Sequence, residues 1–138
     1  MARILVIEDE ANIARAVRDR LKHEGHQVES ALSGPTALAW LASNTVDLII
    51  LDVLMPDMDG FEVIGRLKAD SELRKIPVLI LTVLADDERL RRTGADAFMA
   101  KPYKNADLIR TVNEVLERSG AHTGEAPTPP IDPQRRSP

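Results

Sequence analysis

Asp47-Leu48-Ile49-Ile50-Leu51-Asp52-Val53-Leu54-Met55-Pro56 is the stretch that decides the fold. Its apolar run shows no alternation, which is the pattern of a strand covered on both faces, as in a parallel sheet, and we expect a strand over 47–51. A carboxylate at the tip of such a strand, just before a chain-breaking Met55-Pro56 and Gly60, is costly to desolvate. Asp52 therefore points to chemistry or to a bound cation.

Working outward, other apolar runs end in reactive side chains. Ile4-Leu5-Val6-Ile7 leads to Glu8-Asp9, Val78-Leu79-Ile80-Leu81 to Thr82, and Phe98-Met99-Ala100 to Lys101-Pro102, while Gln27 to Ala31 reads as a weaker strand. Helical spacing lies between them. Ile13, Val17 and Leu21 share a face that Gly25 ends; Ser33-Gly34-Pro35 starts a second helix; Phe61, Ile64 and Leu67 mark a third. A short helix fits Asp86 to Thr93 with Gly94 as its stop, and Leu108, Ile109, Val112, Val115 and Leu116 give the last helix an apolar stripe. Strand and helix thus alternate about five times, which implies a parallel sheet covered on both faces. In such sheets ligands bind beyond the carboxyl ends of the strands, so the carboxylates, hydroxyl and ammonium are expected to share one crevice.

The 138-residue chain suits one domain with a self-supporting core. It has no cysteine, so disulfides, thiol nucleophiles and thiolate metal sites are excluded. With no leader-like start at Met1, a reducing cytoplasm is the expected location. The apolar runs are too short to span a membrane, and a net charge of -4 with only 3% aromatic residues gives no footprint for direct nucleic-acid binding. Residues 120–138 hold six prolines and glycines beyond Gly120, with Ile131 their only branched apolar residue, and are expected to be a tail or linker.

Glu8, Asp9 and Asp52 together would repel one another unless a hard divalent cation lay between them. Magnesium suits such oxygen ligands and leaves places for phosphate oxygens. Lys101 and Thr82 can meet an oxyanion, which leaves Asp52 as a nucleophile toward a phosphoryl group. Each residue also has a plainer use: Glu8-Asp9 as a helix cap, Thr82 as a strand former, Phe98 and Trp40 as packing, Lys101 as a solvated charge. His23, His26 and His122 lack zinc-site spacing, and His23 and His26 read as loop residues around Gly25.

Two rival motifs overlap the loop. Asp57-Met58-Asp59-Gly60 resembles the nucleophile motif of haloacid-dehalogenase-type phosphohydrolases, although Met55-Pro56 separate it from the strand end. It also begins like a calcium loop, without the later ligands of an EF-hand, and no glycine-rich dinucleotide fingerprint occurs.

Ile7-Glu8-Asp9-Glu10, Leu51-Asp52 with Met55-Pro56 and Asp59-Gly60, Leu81-Thr82, Gly94-Ala95-Asp96 and Lys101-Pro102-Tyr103 together resemble the receiver domain of bacterial two-component response regulators. The resemblance covers 1–119. It implies a single doubly wound, flavodoxin-like α/β domain with strand order 2-1-3-4-5, and a switch phosphorylated by a sensor histidine kinase or phosphotransfer protein rather than a conventional enzyme. It also implies Asp52 as phosphoacceptor and Glu8, Asp9, Asp52 and the Leu54 backbone carbonyl as Mg2+ ligands. Thr82 and Lys101 would contact the phosphoryl oxygens, and Thr82 and Phe98 would form the switch. The message would pass to a downstream protein or output domain, with a phosphorylation-dependent homodimer as a further partner. A phosphohydrolase, or a degenerate receiver used only for dimerisation, stays open as an alternative.

Relative to that family, the stretch from Thr82 to Lys101 is shorter by roughly three residues, nearly one helical turn, so the fourth helix is expected to be stunted. Val83 stands where a small residue is usual. Leu54 and Leu84 fall where the family places residues flanking the phosphoryl group. Being apolar, neither can orient an attacking water, so a long-lived acyl phosphate is expected.

Overall fold

A computed structural model describes residues 1–55, 58–84 and 86–119. Five parallel strands form one sheet: β1 (Arg3–Ile7), β2 (Gln27–Ala31), β3 (Leu48–Leu51), β4 (Val78–Thr82) and β5 (Ala97–Ala100), in the order β2-β1-β3-β4-β5. The expected order and type of sheet are therefore present. The deciding strand is one residue shorter than expected, because the Asp47 side chain turns out to accept from the Arg3 N–H at 2.8 Å.

The chain winds around both faces of this sheet. Ile4, Val6, Leu48, Ile50, Leu79 and Leu81 point to the face covered by α1 (Ala11–His23) and the last described helix, α4 (Asn105–Ser119). Leu5, Ile7, Ile49, Leu51, Val78 and Ile80 point to the other, under α2 (Gly34–Leu41) and α3 (Gly60–Ala69). The central strands β1, β3 and β4 thus divide their side chains between two cores, which is why their sequences are nearly continuous apolar runs.

Helix boundaries follow local chemistry. Ser33 caps α2 by accepting from the Thr36 N–H, and Asp59 caps α3 by accepting from Glu62 N–H at 2.9 Å. Gly25 and Gly94 adopt φ of +97° and +79°, the left-handed turn that ends a helix before the next strand. Trp40 is half-buried and packs against the α2/α3 core.

The expected short helix at 86–93 differs in kind. The chain forms a five-residue 3-10 helix, Glu88–Arg92, in which only Leu90 is buried. The shortened connection leaves no room for an α-helix of useful length, so one tight turn carries a single apolar anchor onto the sheet. Phe98 and Ala100, on the sheet face beside it, are exposed.

His23 is the last residue of α1 rather than a loop residue, whereas His26 lies in the connection to β2 as expected. It is half-buried, and its Nδ1 accepts from the Ala2 N–H at 3.1 Å. The proposed tail, 120–138, lies outside the described residues, as do Pro56 and Asp57 of the loop motif.

Candidate phosphoacceptor site

The strand ladders run one residue past the strand ends and fix the backbone of the site. Glu8 N–H donates to the Ala31 carbonyl at 3.0 Å, Asp52 N–H to the Ile7 carbonyl at 3.0 Å, and Lys101 N–H to the Thr82 carbonyl at 3.0 Å. These three residues are thereby held on one edge of the sheet, at the switch in strand order where β1 and β3 lie side by side. The Lys101–Pro102 peptide bond is cis.

Their side chains converge. Lys101 Nζ donates to Glu8 Oε1 at 2.8 Å and to Asp52 Oδ2 at 3.0 Å. Asp52 Oδ1 accepts from Leu54 N–H at 2.9 Å, and Glu8 Oε2 accepts from Glu10 N–H at 3.2 Å. Glu8 and Asp52 are 4% and 8% exposed, so these are screened little by water. Asp9 is half-buried, and carboxylate oxygens of Glu8, Asp9 and Asp52 lie within 4.8 Å of one another. An all-oxygen, acidic donor set of this kind fits a hard divalent cation.

Burial pushes the Glu8 carboxyl up, with the Asp52 charge adding to the rise and the bonds from Lys101 and the Glu10 N–H opposing it. Burial works to lower the Lys101 ammonium, but its bonds to Glu8 and Asp52 outweigh that and raise it. The plain reading of Glu8-Asp9 as a cap does not describe this arrangement: the N-cap of α1 is Glu10, whose side chain makes no capping bond.

Thr82 and Phe98 are not joined to the cluster. Thr82 is fully buried, and its Oγ1 accepts from Leu84 N–H at 3.0 Å. Phe98 pairs in register with Ile80 and is 39% exposed; strand alternation puts Ile80, Thr82, Phe98 and Ala100 on one sheet face. Of the rival loop motif, Asp59 is occupied in capping α3, and Asp57 lies outside the described residues.

The fold, the strand-end carboxylates and the lysine between them carry the family. Residues 4–113 match the response regulator receiver domain. The chain belongs to that family. This receiver is 42% identical over 118 residues to the response regulator PleD of Caulobacter vibrioides, an alignment taking in 83% of the chain and 26% of PleD. It superposes on the signal receiver domain of a signal transduction histidine kinase from Syntrophus aciditrophicus with a TM-score of 0.80 at 38% identity, covering 91% of this chain and 96% of that one. Against the response regulator TrrA of Thermotoga maritima, whose structure is a complex with Mg(2+)-BeF, the TM-score is 0.75 at 31% identity, covering 83% and 99%. The receiver spans from about a seventh to about half the length of the curated relatives it matches.

The mouth of the site differs from the sequence expectation. A cavity of about 400 Å³ opens over Asp52 and Lys101, and its apolar lining is Ile13, Leu54 and Val83. Leu84 instead packs against the α2/α3 core. Nothing in the residue types distinguishes these two neighbours; the turn after β4 decides which one faces the crevice. Ile13 was legible only as a core-facing position of α1.

Proposed function

We propose that residues 1–119 form a phosphorylation switch in which Asp52 accepts a phosphoryl group from the phosphohistidine of a sensor histidine kinase or phosphotransfer protein. The observation that carries this is Lys101 Nζ lying within 3.0 Å of both Glu8 and Asp52 carboxylates, with Asp9 beside them. An Asp52 carboxylate oxygen attacks phosphorus, the P–N bond breaks, and its electron pair leaves with the imidazole. Lys101 supports the equatorial oxygens as charge collects there. Glu8, Asp9, Asp52 and the Leu54 carbonyl would hold Mg2+, which when bound supplies neutralising charge for those oxygens.

Thr82 then exchanges its bond with the Leu84 N–H for one to a phosphoryl oxygen, and Phe98, on the same sheet face, turns inward beneath it. Output is by binding rather than turnover, to a downstream protein or output domain or to a second copy of the chain, with 120–138 as the tail or linker. Among the described residues no helix is long and apolar enough to cross a membrane; a cytoplasmic setting accords with the absence of cysteine.

The test is incubation with a small phosphodonor and Mg2+. One phosphoryl group per chain is expected, lost in Asp52→Asn. Equal labelling of that variant refutes the acceptor, steady phosphate release from phosphomonoesters favours a phosphohydrolase, and an unlabelled wild-type chain favours a dimerisation module.

A further inference from the structure

We propose that the end of the sheet opposite Asp52 carries a docking surface for a carboxylate-rich segment of a partner protein, formed by Lys68, Arg74 and Arg92 with Arg91 and Arg118 at its rim. The chain has 22 acidic against 18 basic side chains, so carboxylates are not scarce. Yet among the described residues these five cations enter no salt bridge, whereas Arg66, Lys75 and Arg89, on the same elements as the first three, each hold one.

Separate elements bring them together. The Lys68 stem lies along Gly94, where an added Cβ would stand 3.5 Å from Lys68 Cε, and its Nζ donates to the Arg74 carbonyl at 3.4 Å. The half-buried stem thereby delivers an ammonium to the surface with donors to spare. Arg92 arrives by helix periodicity. In the 3-10 helix Glu88–Arg92 side chains three apart eclipse, so Arg92 follows Arg89, which stands over Phe61; on α3, Phe61 and Lys68 are seven apart and share a face. Arg92 therefore falls on the Lys68 side of its helix, one turn nearer the end of the sheet. Arg118 Nη2, from the end of α4, donates to the Asp96 carbonyl at 3.4 Å, two residues beyond Gly94. All but Lys68 are exposed.

The acids nearby are engaged locally. Asp96 Oδ2 accepts from the Val78 N–H, Asp70 Oδ1 from the Glu72 and Leu73 N–H groups, and Glu72 pairs with Lys75. What remains is a compact cationic field on a chain of net charge -4. A long polyanion, such as a nucleic acid or a charged membrane, meets the excess carboxylates of the whole chain along with the patch, and the five cations offer no aromatic ring for bases to stack on. A short acidic segment meets only the local field, which at physiological salt reaches about 8 Å. From Val78 to Thr82 the sheet rises about 3.3 Å per residue, so roughly 13 Å separate the patch from the Asp52 crevice. The patch therefore holds its partner whether or not Asp52 is modified, as a tether beside the switch.

The full chain is titrated into a fluorescein-labelled peptide of alternating Asp and Ser at low salt, read by fluorescence anisotropy. The peptide should bind, and high salt should abolish the signal. Combining Lys68→Met, Arg74→Gln and Arg92→Gln should weaken binding by about tenfold or more, while Arg15→Gln, Lys22→Gln and Arg110→Gln together, which remove the same charge from exposed positions elsewhere, should change it by less than about twofold. Both triple variants should keep the wild-type urea midpoint, and Asp52→Asn should bind as the wild type does. Equal weakening by the two triple variants, or no peptide binding by the wild type, overturns the patch. Tighter binding of a labelled single-stranded oligonucleotide, or of phosphatidylserine vesicles, overturns an acidic protein segment as its partner.

Discussion

Lys101 and Glu8, separated by 93 positions in sequence, meet at 2.8 Å, and the same ammonium reaches Asp52 at 3.0 Å. Without Lys101 the two nearly buried carboxylates would face Asp9 and each other with no balancing charge. Lys101→Met should therefore lower unfolding stability by about 1–3 kcal/mol in metal-free buffer, read as a urea midpoint. The same substitution removes a competitor for the carboxylate oxygens. Titration calorimetry should show Mg2+ binding retained or tightened, while labelling of Asp52 falls sharply. Labelling at the wild-type rate would remove Lys101 from the reaction.

Gly60 fixes the depth at which α3 docks under the loop that follows Asp52. Its N–H donates to the Val53 carbonyl at 2.9 Å, and a Cβ there would collide with Val53 Cα and lie 2.7 Å from the Asp52 carbonyl oxygen. Both obstacles are backbone, so they cannot simply rotate away. Gly60→Ala should cost about 1–3 kcal/mol and slow labelling by displacing Asp52. Gly65, in the same helix, has nothing within 4 Å of an added Cβ. Gly65→Ala should instead stabilise by up to about 1 kcal/mol with labelling unchanged, a control that separates site geometry from helix propensity.

The strand ends were the most legible part of the chain. Arg3–Ile7, Gln27–Ala31, Val78–Thr82 and Ala97–Ala100 occur as expected; in the central strands β1, β3 and β4 burial on two faces writes a nearly unbroken apolar run, and Glu8, Asp52 and Lys101 directly follow β1, β3 and β5. What could not be read depends on rotation about a turn. Leu84 and Val83 are both apolar, and only the bond from Leu84 N–H to Thr82 Oγ1 sends one to the core and the other to the mouth. The shortening near 86–93 was visible as a length. Its consequence, a 3-10 turn in place of an α-helix, follows from how few residues remain to cover the sheet.

That 3-10 turn is held by two contacts absent from the sequence pattern. Leu90 is buried against the sheet, and the Arg89 guanidinium stands 4.2 Å from the centre of the Phe61 ring on α3 while pairing with Asp87 at 2.7 Å. Leu90→Ala should cost about 2–4 kcal/mol through the cavity it leaves, whereas Arg89→Ala, at an exposed pair, should cost much less. Urea unfolding distinguishes them. Equal losses would mean that the cation over the ring, not the apolar anchor, holds this segment.

His26 gives the fold a pH dependence of determinable sign. Burial lowers its pKa from the ordinary 6.5, the amino terminus adds to the effect and Glu24 opposes it. Its Nδ1 must stay unprotonated to accept from the Ala2 N–H, at the start of the β1–β2 pairing where Gln27 N–H also donates to the Ala2 carbonyl. In the unfolded chain the imidazole takes a proton as pH falls through 6.5, but in the folded chain it resists until the lowered value is reached. The unfolded state therefore binds more protons across that window, and stability from His26 is lost as pH falls through it. Glu8, raised by burial, contributes the opposite slope above its ordinary 4.5, so the wild-type profile alone mixes the two. The difference between wild type and His26→Gln isolates the histidine. Its stability advantage over the variant should shrink between about pH 7 and about pH 5, and a difference constant across that range would show that the Ala2 bond does not depend on the imidazole's protonation.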